Sequence, residues 1–384
     1  MSPRLAVALV FAVHGAVTGT FATRIPWIAE RLHTDPGGLR LALLFVSVGA
    51  ITAMPFAGRL AHRFRARPLV AVLMVLWCFA VVPPSLAPNV PMLCVTLLVF
   101  GAAAGLADVA MNAQGVAVEQ VAGRSIMSGL HGMWSLGGLI GSGIGVLAAH
   151  FEVPAPVHFL AVAMGLSVIA VAVSGRLLDT PGAAEEGPAF ALPPKSVVLI
   201  ALVGFAAVFG EVASADWAAV YLTEVTGAAP AVAAAAFSGF AATMAAVRLA
   251  GDRVVDRFGP VWTVRVGGIA ATIGALTVAL SRSAGLAITG FALIGIGVAV
   301  VVPLAFAAAG NAGPRPGQQI AGVATIAYGA GMAAPASIGG IAQATSLSAS
   351  FFVVAVLTAL LVAGAGTLRR PSTVDVVEPA VLER

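Results

Sequence analysis

Acids and histidines are scarce inside the long apolar stretches of this sequence, so each one that occurs there is a candidate for chemistry. Asp108 follows Leu106 and Ala107 in such a stretch, and Asn112 comes one helical turn later on the same face. A charge at the centre of a membrane costs about 2.5–3.5 kcal/mol, and burial favours the neutral form of a carboxylic acid. Asp108 is therefore predicted to bind and release a proton. The alternatives are a carboxylate held permanently by neighbouring helices, or one solvated near a helix end.

Two further titratable side chains are predicted at membrane depth. His131 lies near the start of the fifth apolar segment. An imidazole titrates near neutral pH, so His131 is predicted to share a proton with Asp108; the alternative is a packed histidine bonded to a carbonyl group. Glu211 lies well inside the seventh segment and is the second carboxylate predicted to take part in proton coupling.

Segments of membrane-spanning length must position these groups. The 384 residues are 60% hydrophobic and 9% charged, whereas soluble domains are about 25% charged. Apolar segments of about 20 residues, the length that crosses hydrocarbon, occur at 5–29, 38–58, 68–87, 91–115, 126–149, 155–176, 196–222, 230–250, 261–280, 284–308, 319–343 and 348–368. The sequence thus predicts an all-α membrane protein with twelve transmembrane helices.

The two halves of the chain repeat each other at an offset of 194 residues. Arg63, Phe64, Gly101, Trp134 and Gly137 return as Arg257, Phe258, Gly295, Tyr328 and Gly331. Two equivalent halves of a membrane protein are expected to enclose a site between them. The predicted solute contacts are Asn112, Trp134, Thr325 and Tyr328. For the two aromatic side chains, a plain packing role is the alternative.

The repeat and the charges give the expected organisation. Residues 1–177 and 196–370 are predicted to form two six-helix bundles, with a linker at 178–195 and a disordered tail at 371–384. The net charge of +4 does not indicate a nucleic-acid partner, because arginines cluster in the loops after the second and eighth segments. The positive-inside rule then places these loops and both termini in the cytoplasm.

Those two loops carry degenerate copies of one motif. The first copy reads Gly58-Arg-Leu-Ala-His-Arg-Phe-Arg65, and the second reads Asp252-Arg-Val-Val-Asp256-Arg-Phe-Gly259. With twelve segments in two halves, they resemble the major facilitator superfamily, whose pattern is Gly-x-x-x-Asp-Arg-x-Gly-Arg. The resemblance implies a transporter with alternating access, in which this loop locks the halves together. Asp256 is then expected to bind Arg124 or the start of the fifth helix. The alternative is a solvated salt bridge.

Shorter stretches narrow the resemblance. The stretches Gly105-Leu-Ala-Asp108-Val-Ala-Met-Asn112 and His131-Gly-Met-Trp134-Ser-Leu-Gly137 resemble those of the fucose–proton symporter group, with Asp108 in place of Glu and Trp134 in place of Asn. Ala22-Thr-Arg24-Ile-Pro26 and Ala215-Asp216-Trp217 resemble a bacterial inner-membrane branch. The resemblance implies proton-coupled import of a sugar-like or other small polar solute across the bacterial cytoplasmic membrane. It also implies that the first and seventh helices meet at an outer gate, where Arg24 is expected to pair with Asp216 or Glu211.

One motif in the fifth segment favours a different function. Gly137, Gly141 and Gly145 resemble the Gly-rich motif of drug–proton antiporters, with Ser142 at the usual proline, and indicate an exporter of drugs or amphipathic metabolites as the alternative. The glycines of the fifth and eleventh spans also predict closely packed, bendable helices at the interface between the two halves; the alternative is that glycine is simply common in membrane helices. A non-transporting membrane sensor is a third reading, which the short loops disfavour.

The sequence contains no ATP-binding loop and no zinc or nucleophile motif. We therefore expect no enzyme activity, no cofactor and no metal. The expected partners are a small-molecule substrate, protons and the lipid bilayer, and the chain is expected to be a monomer.

Overall fold

A computed structural model of the protein describes residues 1–34, 36–179, 195–313 and 315–369. The described part is helical, without strands. The helices are α1 (Pro3–Ala22), α2 (Ile25–Arg31), α3 (Pro36–Arg63), α4 (Ala66–Ala80), α5 (Val82–Leu86), α6 (Val90–Ala122), α7 (Met127–His150), α8 (Ala155–Ser174), α9 (Lys195–Thr226), α10 (Pro230–Phe258), α11 (Pro260–Leu280), α12 (Ala284–Val298), α13 (Val301–Gly310), α14 (Pro316–Ala344) and α15 (Leu347–Gly364). The predicted tail, and the predicted linker apart from its ends, lie outside the described residues.

The expected all-helical membrane architecture is confirmed. Eleven stretches of the described residues are long and apolar enough to cross a membrane. Helix α10, with 29 residues, covers the predicted eighth segment. Three predicted segments are each built from two consecutive helices: the first from α1 and α2, the third from α4 and α5, and the tenth from α12 and α13.

Local signals at the helix starts repeat with the sequence. The Asn89 side chain caps α6 by accepting a hydrogen bond from the Met92 amide at 2.9 Å. Ser283, 194 residues later, caps α12 by accepting one from the Leu286 amide at 3.4 Å. Helices α3 and α10 both begin with proline, which suits the first helical turn. The two halves therefore start their equivalent helices at equivalent residues.

Glycines bring helices of the same bundle into backbone contact. Gly137, Gly141 and Gly145 on α7 face Ala12, Ala16 and Thr23 of the first span, and a methyl group at any of the three would overlap those atoms. These three glycines therefore pack within the first bundle, although α7 and α14 themselves do lie between the halves as predicted, against α10 and α3. Small residues permit close helix contact in lipid, but their spacing does not reveal which neighbour they face.

The two bundles meet at one end of the molecule, which we call the motif end because it carries both copies of the loop motif. There, α7 packs on α10 and α3 packs on α14. Helix α1 packs on α6, α7 and α8 of its own bundle, whereas in the described part of the chain it is not packed closely on α9 of the other bundle. The space between the bundles is consequently closed at the motif end.

Candidate functional site

A cavity of about 420 Å³ lies between the two bundles, within the size range of small-molecule sites, about 300–1,000 Å³. Its polar and aromatic lining residues are His14, Ser47, Asp108, His131, Trp134, Glu211, Asp216, Arg248 and Tyr328. The other walls are mainly apolar and include Val46, Ile51, Met54, Met111 and Val212. Six residues predicted from the sequence share this cavity, namely Asp108, His131, Trp134, Glu211, Asp216 and Tyr328.

Asp108 is the buried acid of the first bundle. The residue is 7% exposed, and its Oδ2 atom has no hydrogen-bond partner in the described part of the chain. The carboxyl group interacts with the hydroxyl group of Tyr328, which α14 of the second bundle supplies. An unpaired buried oxygen is costly, so this atom is a ready acceptor for a proton.

Asn112 connects Asp108 to His131. Its Nδ2 atom donates to the backbone carbonyl of Asp108 at 2.8 Å, and its Oδ1 atom lies 3.2 Å from Nε2 of His131. Since Oδ1 only accepts, His131 donates from Nε2. The predicted pair of Asp108 and His131 is thus linked through an amide. Asn112 is fully buried and does not line the cavity, so its predicted contact with a solute is not made in this conformation.

Glu211 forms an ion pair that the sequence did not indicate. Its two carboxylate oxygens lie 3.2 and 3.0 Å from Nη2 of Arg248 on α10. Arg248 is 5% exposed, so the pair is buried on the cation's side. Removing one partner of a buried pair leaves an uncompensated charge, which costs about 3–5 kcal/mol. Arg24, the expected partner of Glu211, lies elsewhere.

A proline determines where the rest of the Arg248 guanidinium binds. Pro303, four residues after Ala299, lacks the N–H group that would bond the Ala299 carbonyl in a continuous helix. The tenth span is interrupted there, between α12 and α13. The free carbonyl accepts a hydrogen bond from Nε of Arg248 at 3.2 Å, and Nη1 lies 3.4 Å from the Ser135 hydroxyl of the first bundle.

The aromatic wall of the cavity is held by His14. Nε1 of Trp134 donates to Nδ1 of His14 at 3.0 Å, and Nε2 of His14 lies 3.4 Å from the carbonyl of Ala104. These bonds require the neutral tautomer with its proton on Nε2. His14 also stacks on Trp77. It is therefore a satisfied core histidine that orients Trp134.

The predicted outer gate is not formed in this conformation. A guanidinium nitrogen of Arg24 donates to the carbonyl of Val153, and the side chain is 3% exposed. Asp216 is exposed and lines the cavity away from the motif end. With Glu211 occupied by Arg248, the expected pairing of Arg24 with Asp216 stays a prediction for a conformation in which that end is closed.

Three carboxylates occupy the amide groups at the start of α7. Asp256 accepts from the amide of Ser125 at 2.8 Å, and Asp252 accepts from that of Gly129 at 3.0 Å. Glu119, from the same bundle as α7, accepts from the amides of residues 126 and 127. Free amides at a helix start attract anions. The second bundle is thereby hydrogen-bonded to the first, at the helix start that was expected for Asp256.

Two predicted residues lie outside these contacts. Arg124 is exposed and borders a cleft that it shares with Glu119 and Asn311. The Thr325 hydroxyl donates to the carbonyl of Ala321 on its own helix at 2.8 Å, and it does not line the cavity.

Sequence reasoning missed Arg248, Glu119 and Asp252. For Arg248 a signal existed, because an arginine inside the predicted segment 230–250 is as costly in hydrocarbon as an acid. Asp252 replaces the leading glycine of the loop motif, and that departure was a second signal. For Glu119 no signal distinguishes a capping carboxylate from a solvated one.

Comparisons with known proteins agree with this architecture. A sequence model of the Major Facilitator Superfamily matches residues 7–333. An uncharacterized transporter of Sinorhizobium fredii, y4wD, is 34% identical over 380 residues, which cover 96% of this chain and 99% of the relative. An uncharacterized MFS-type transporter of Yersinia pestis is 35% identical over 373 residues, covering 96% and 97%. The crystal structure of FucP in the outward conformation superposes with a TM-score of 0.78 at 14% identity, covering 96% of this chain and 99% of that one.

Proposed function

The chain belongs to the Major Facilitator Superfamily and is a membrane transporter, not an enzyme; from that premise we propose that it couples proton movement to the import of a sugar-like or other small polar solute by alternating access. The observation that carries the proposal is the buried Asp108 carboxyl, which lines the cavity with one oxygen unpartnered and interacts with Tyr328 of the other bundle. Because Asp108 belongs to one bundle and interacts with Tyr328 of the other, a change in its protonation alters a contact between the two halves.

The contact between Asp108 and Tyr328 supplies the coupling step. A carboxylate accepts a hydrogen bond from the tyrosine hydroxyl more strongly than a neutral acid does. Protonation of Asp108 therefore weakens a contact between the two bundles. The bundles can then rearrange around the loaded cavity, and loss of the proton on the other side restores the contact.

The arginines support an orientation for this cycle. They cluster beside the motif end, in residues 59–67 and 253–265, so the positive-inside rule assigns the motif end and both termini to the cytoplasm. The described conformation would then face outward, as that of FucP does. FucP of E. coli is described as a fucose:proton symporter, which supports import of a polar solute with a proton.

The test combines a binding screen with gradient-driven uptake. Purified protein is screened by thermal shift against sugars, amino acids and amines, since a ligand of the native state raises the melting temperature. A hit is then offered to proteoliposomes with acid outside. We expect Asp108→Asn to lose accumulation at least about tenfold while solute exchange without a gradient continues, because the neutral amide imitates the permanently protonated acid.

The matched control is Asp179→Asn, which neutralises an acid in a loop outside the cavity. It should accumulate solute like the wild type. If Asp108→Asn accumulates solute as well as the wild type at every imposed gradient, the Asp108 carboxyl does not take part in coupling.

One observation favours the alternative function, export of amphipathic compounds by proton antiport. Most of the cavity wall is apolar, with Val46, Ile51 and Met54 on α3. The same proteoliposomes separate the two modes by the sign of the gradient. Symport is driven by acid on the side from which the solute enters, and antiport by acid on the side to which it moves.

The gate residues are part of the proposal. Arg24 and Asp216 are proposed to meet when the end opposite the motif end closes, and Asp256 is proposed to hold the motif end closed at the helix start that follows Arg124. Cysteines placed at positions 24 and 216 should form a cross-link only under conditions that close the outer end. A cross-link yield that is independent of solute and pH would contradict the outer gate.

A further inference from the structure

We propose that the solute carries a protonated amine, which the Glu211 and Asp216 carboxylates bind while its body lies between Trp134 and Tyr328. This inference rests on the proposed transport function and specifies the chemistry of the solute. It follows from which hydrogen-bonding groups of the cavity wall are bonded to other protein groups and which are available to a solute.

The N–H donors of Trp134, His14 and His131 in the cavity wall are engaged within the protein. The indole N–H of Trp134 is bonded to His14, and His14 in turn lies in reach of the carbonyl of Ala104. The Nε2 atom of His131 is engaged by the side-chain oxygen of Asn112. A solute that needs these N–H groups would have to break existing bonds between buried partners, which costs about 1–3 kcal/mol for each group left unpaired.

The cation of the cavity wall is also occupied. Arg248 is 5% exposed, and its three guanidinium nitrogens bind the Ala299 carbonyl, the Ser135 hydroxyl and the Glu211 carboxylate. An anionic solute would have to displace Glu211 from this buried pair. Since its replacement leaves the Glu211 charge without a partner, an anion gains little from Arg248.

Acceptors, by contrast, remain available. The Glu211 side chain keeps 28% of its surface exposed beside the ion pair, and Asp216 is exposed in the same cavity. Asp108, only 7% exposed, lines the same cavity, and its buried Oδ2 atom has no hydrogen-bond partner among the described residues. The lining thus contains three carboxyl groups and one neutralised arginine. Such a cavity attracts a cation that donates hydrogen bonds and repels an anion.

The aromatic and apolar walls fit the rest of such a molecule. Trp134 and Tyr328 come from opposite bundles, and each contributes to the same cavity. Aromatic ring faces attract ammonium groups by about 0.5–2 kcal/mol. A ring body between these two side chains would place its amine toward Glu211 and Asp216 on α9.

The experiment uses matched series that differ only in charge. One series is cyclohexylmethylamine, cyclohexylmethanol and cyclohexanecarboxylate; the other is glucosamine, glucose and glucuronate. Binding to purified full-length protein is measured by calorimetry and thermal shift. In at least one series we expect the amine to bind at least about tenfold more tightly than its neutral analogue, with no binding by the anion. This difference corresponds to about 1.4 kcal/mol.

Variants locate the amine on α9. Glu211→Gln and Asp216→Asn should each weaken amine binding about tenfold or more and leave any binding of the neutral analogue unchanged. Glu211→Gln leaves Arg248 without its ion-pair partner and can lower the stability of the protein. Asp216→Asn tests the amine contact without breaking that pair. Glu224→Gln, an exposed acid on the same helix, is the matched control and should bind the amine like the wild type.

The inference is overturned if the neutral or anionic member binds as tightly as the amine in both series, if no amine binds, or if amine binding survives unchanged in both carboxylate variants. These outcomes do not touch the proposed coupling, which proton-driven uptake of a screened solute tests separately. An amine that binds as expected but is never moved by a proton gradient would leave the inference standing and refute the coupling.

Discussion

Two of the contacts that close the motif end occupy equivalent positions of the two halves, yet they are built from different chemistry. Where α3 meets α14, Gly58 lies so close to α14 that an added methyl group would be 3.0 Å from the Cα atom of Gln318. Where α10 meets α7, the residue 194 positions later is Asp252, whose carboxylate accepts from the Gly129 amide. At these two positions one contact is backbone packing and the other is a hydrogen bond to a charge, although Gly132 and Gly251 also pack closely where α10 meets α7.

The difference assigns different tasks to the two contacts. Close packing depends on shape, and in lipid it needs no charge. A carboxylate on helix amides is a strong bond, but water can replace it when the ends separate, so it resists opening without preventing it. We therefore expect the carboxylate contact to set how often the motif end opens, and the glycine contact to set how closely the bundles approach.

Removing both carboxylates should have the largest effect. A hydrogen bond to a charged group contributes about 1.5–3 kcal/mol, so Asp252→Ala with Asp256→Ala should shift the closed–open equilibrium of the motif end about a hundredfold or more toward open. The readout is the maleimide labelling rate of a cysteine at Val116, which is 1% exposed and faces Gly310 of the other bundle. The native cysteines are first replaced by alanine.

Glu119→Ala is the matched control for this double variant. Glu119 caps the same helix start from within the first bundle, so its removal should lower thermal stability without raising the labelling rate at position 116. Equal labelling rates in the double variant and the wild type would show that the carboxylates do not hold the end closed.

Crowding the glycine contact should have a smaller effect. In Gly58→Ala the new methyl group must push Gln318 by a few tenths of an ångström, and such overpacking costs about 1–3 kcal/mol. Labelling at position 116 should rise, but less than in the double carboxylate variant. Gly340→Ala, on α14 where an added methyl group meets open space, should leave it unchanged. A larger rise for Gly58→Ala than for the double variant would reverse the comparison.

A third contact at the motif end should matter least. Nε of Arg65 donates to Asp179 at 3.1 Å, and this hydrogen bond lowers the pKa of the Asp179 carboxyl below its ordinary value of 3.8. A lowered folded-state pKa means that the pair stabilises the protein above pH 3.8 and that this stabilisation disappears as the pH falls through the folded-state value.

Arg65 follows α3 of the first bundle, and Asp179 lies at the start of the linker that follows α8 of the same bundle. The pair is solvent-screened and does not join the two bundles. Arg65→Gln should therefore lower the melting temperature only slightly at neutral pH and not at all in acid. It should leave labelling at position 116 unchanged. A rise in labelling would mean that this pair also helps to close the motif end.

The sequence was a reliable guide where a signal is local or repeated. Apolar segment lengths and matched loop motifs predicted the helices and the helix start that Asp256 reaches. It was a poor guide to which neighbour a side chain meets. The spacing of Gly137 and Gly141 marks a small face on α7 but not that α1 lies against it, and Glu211 was assigned Arg24 because the cation on α10 was overlooked. Partner choice depends on helix rotation, which no single helix encodes.

Pro303 has an effect that reaches beyond its own helix. Because residue 303 has no N–H group, the helical hydrogen bond from residue 303 to the Ala299 carbonyl cannot form, whether the tenth span bends or straightens. Arg248 therefore does not compete with that bond for the carbonyl. The Arg248 guanidinium thus keeps a backbone hydrogen-bond acceptor that no helical amide takes from it. A protonated amine can therefore bind the exposed side of Glu211 while Arg248 keeps both its backbone and its carboxylate partners, so the cation need not move when a solute enters.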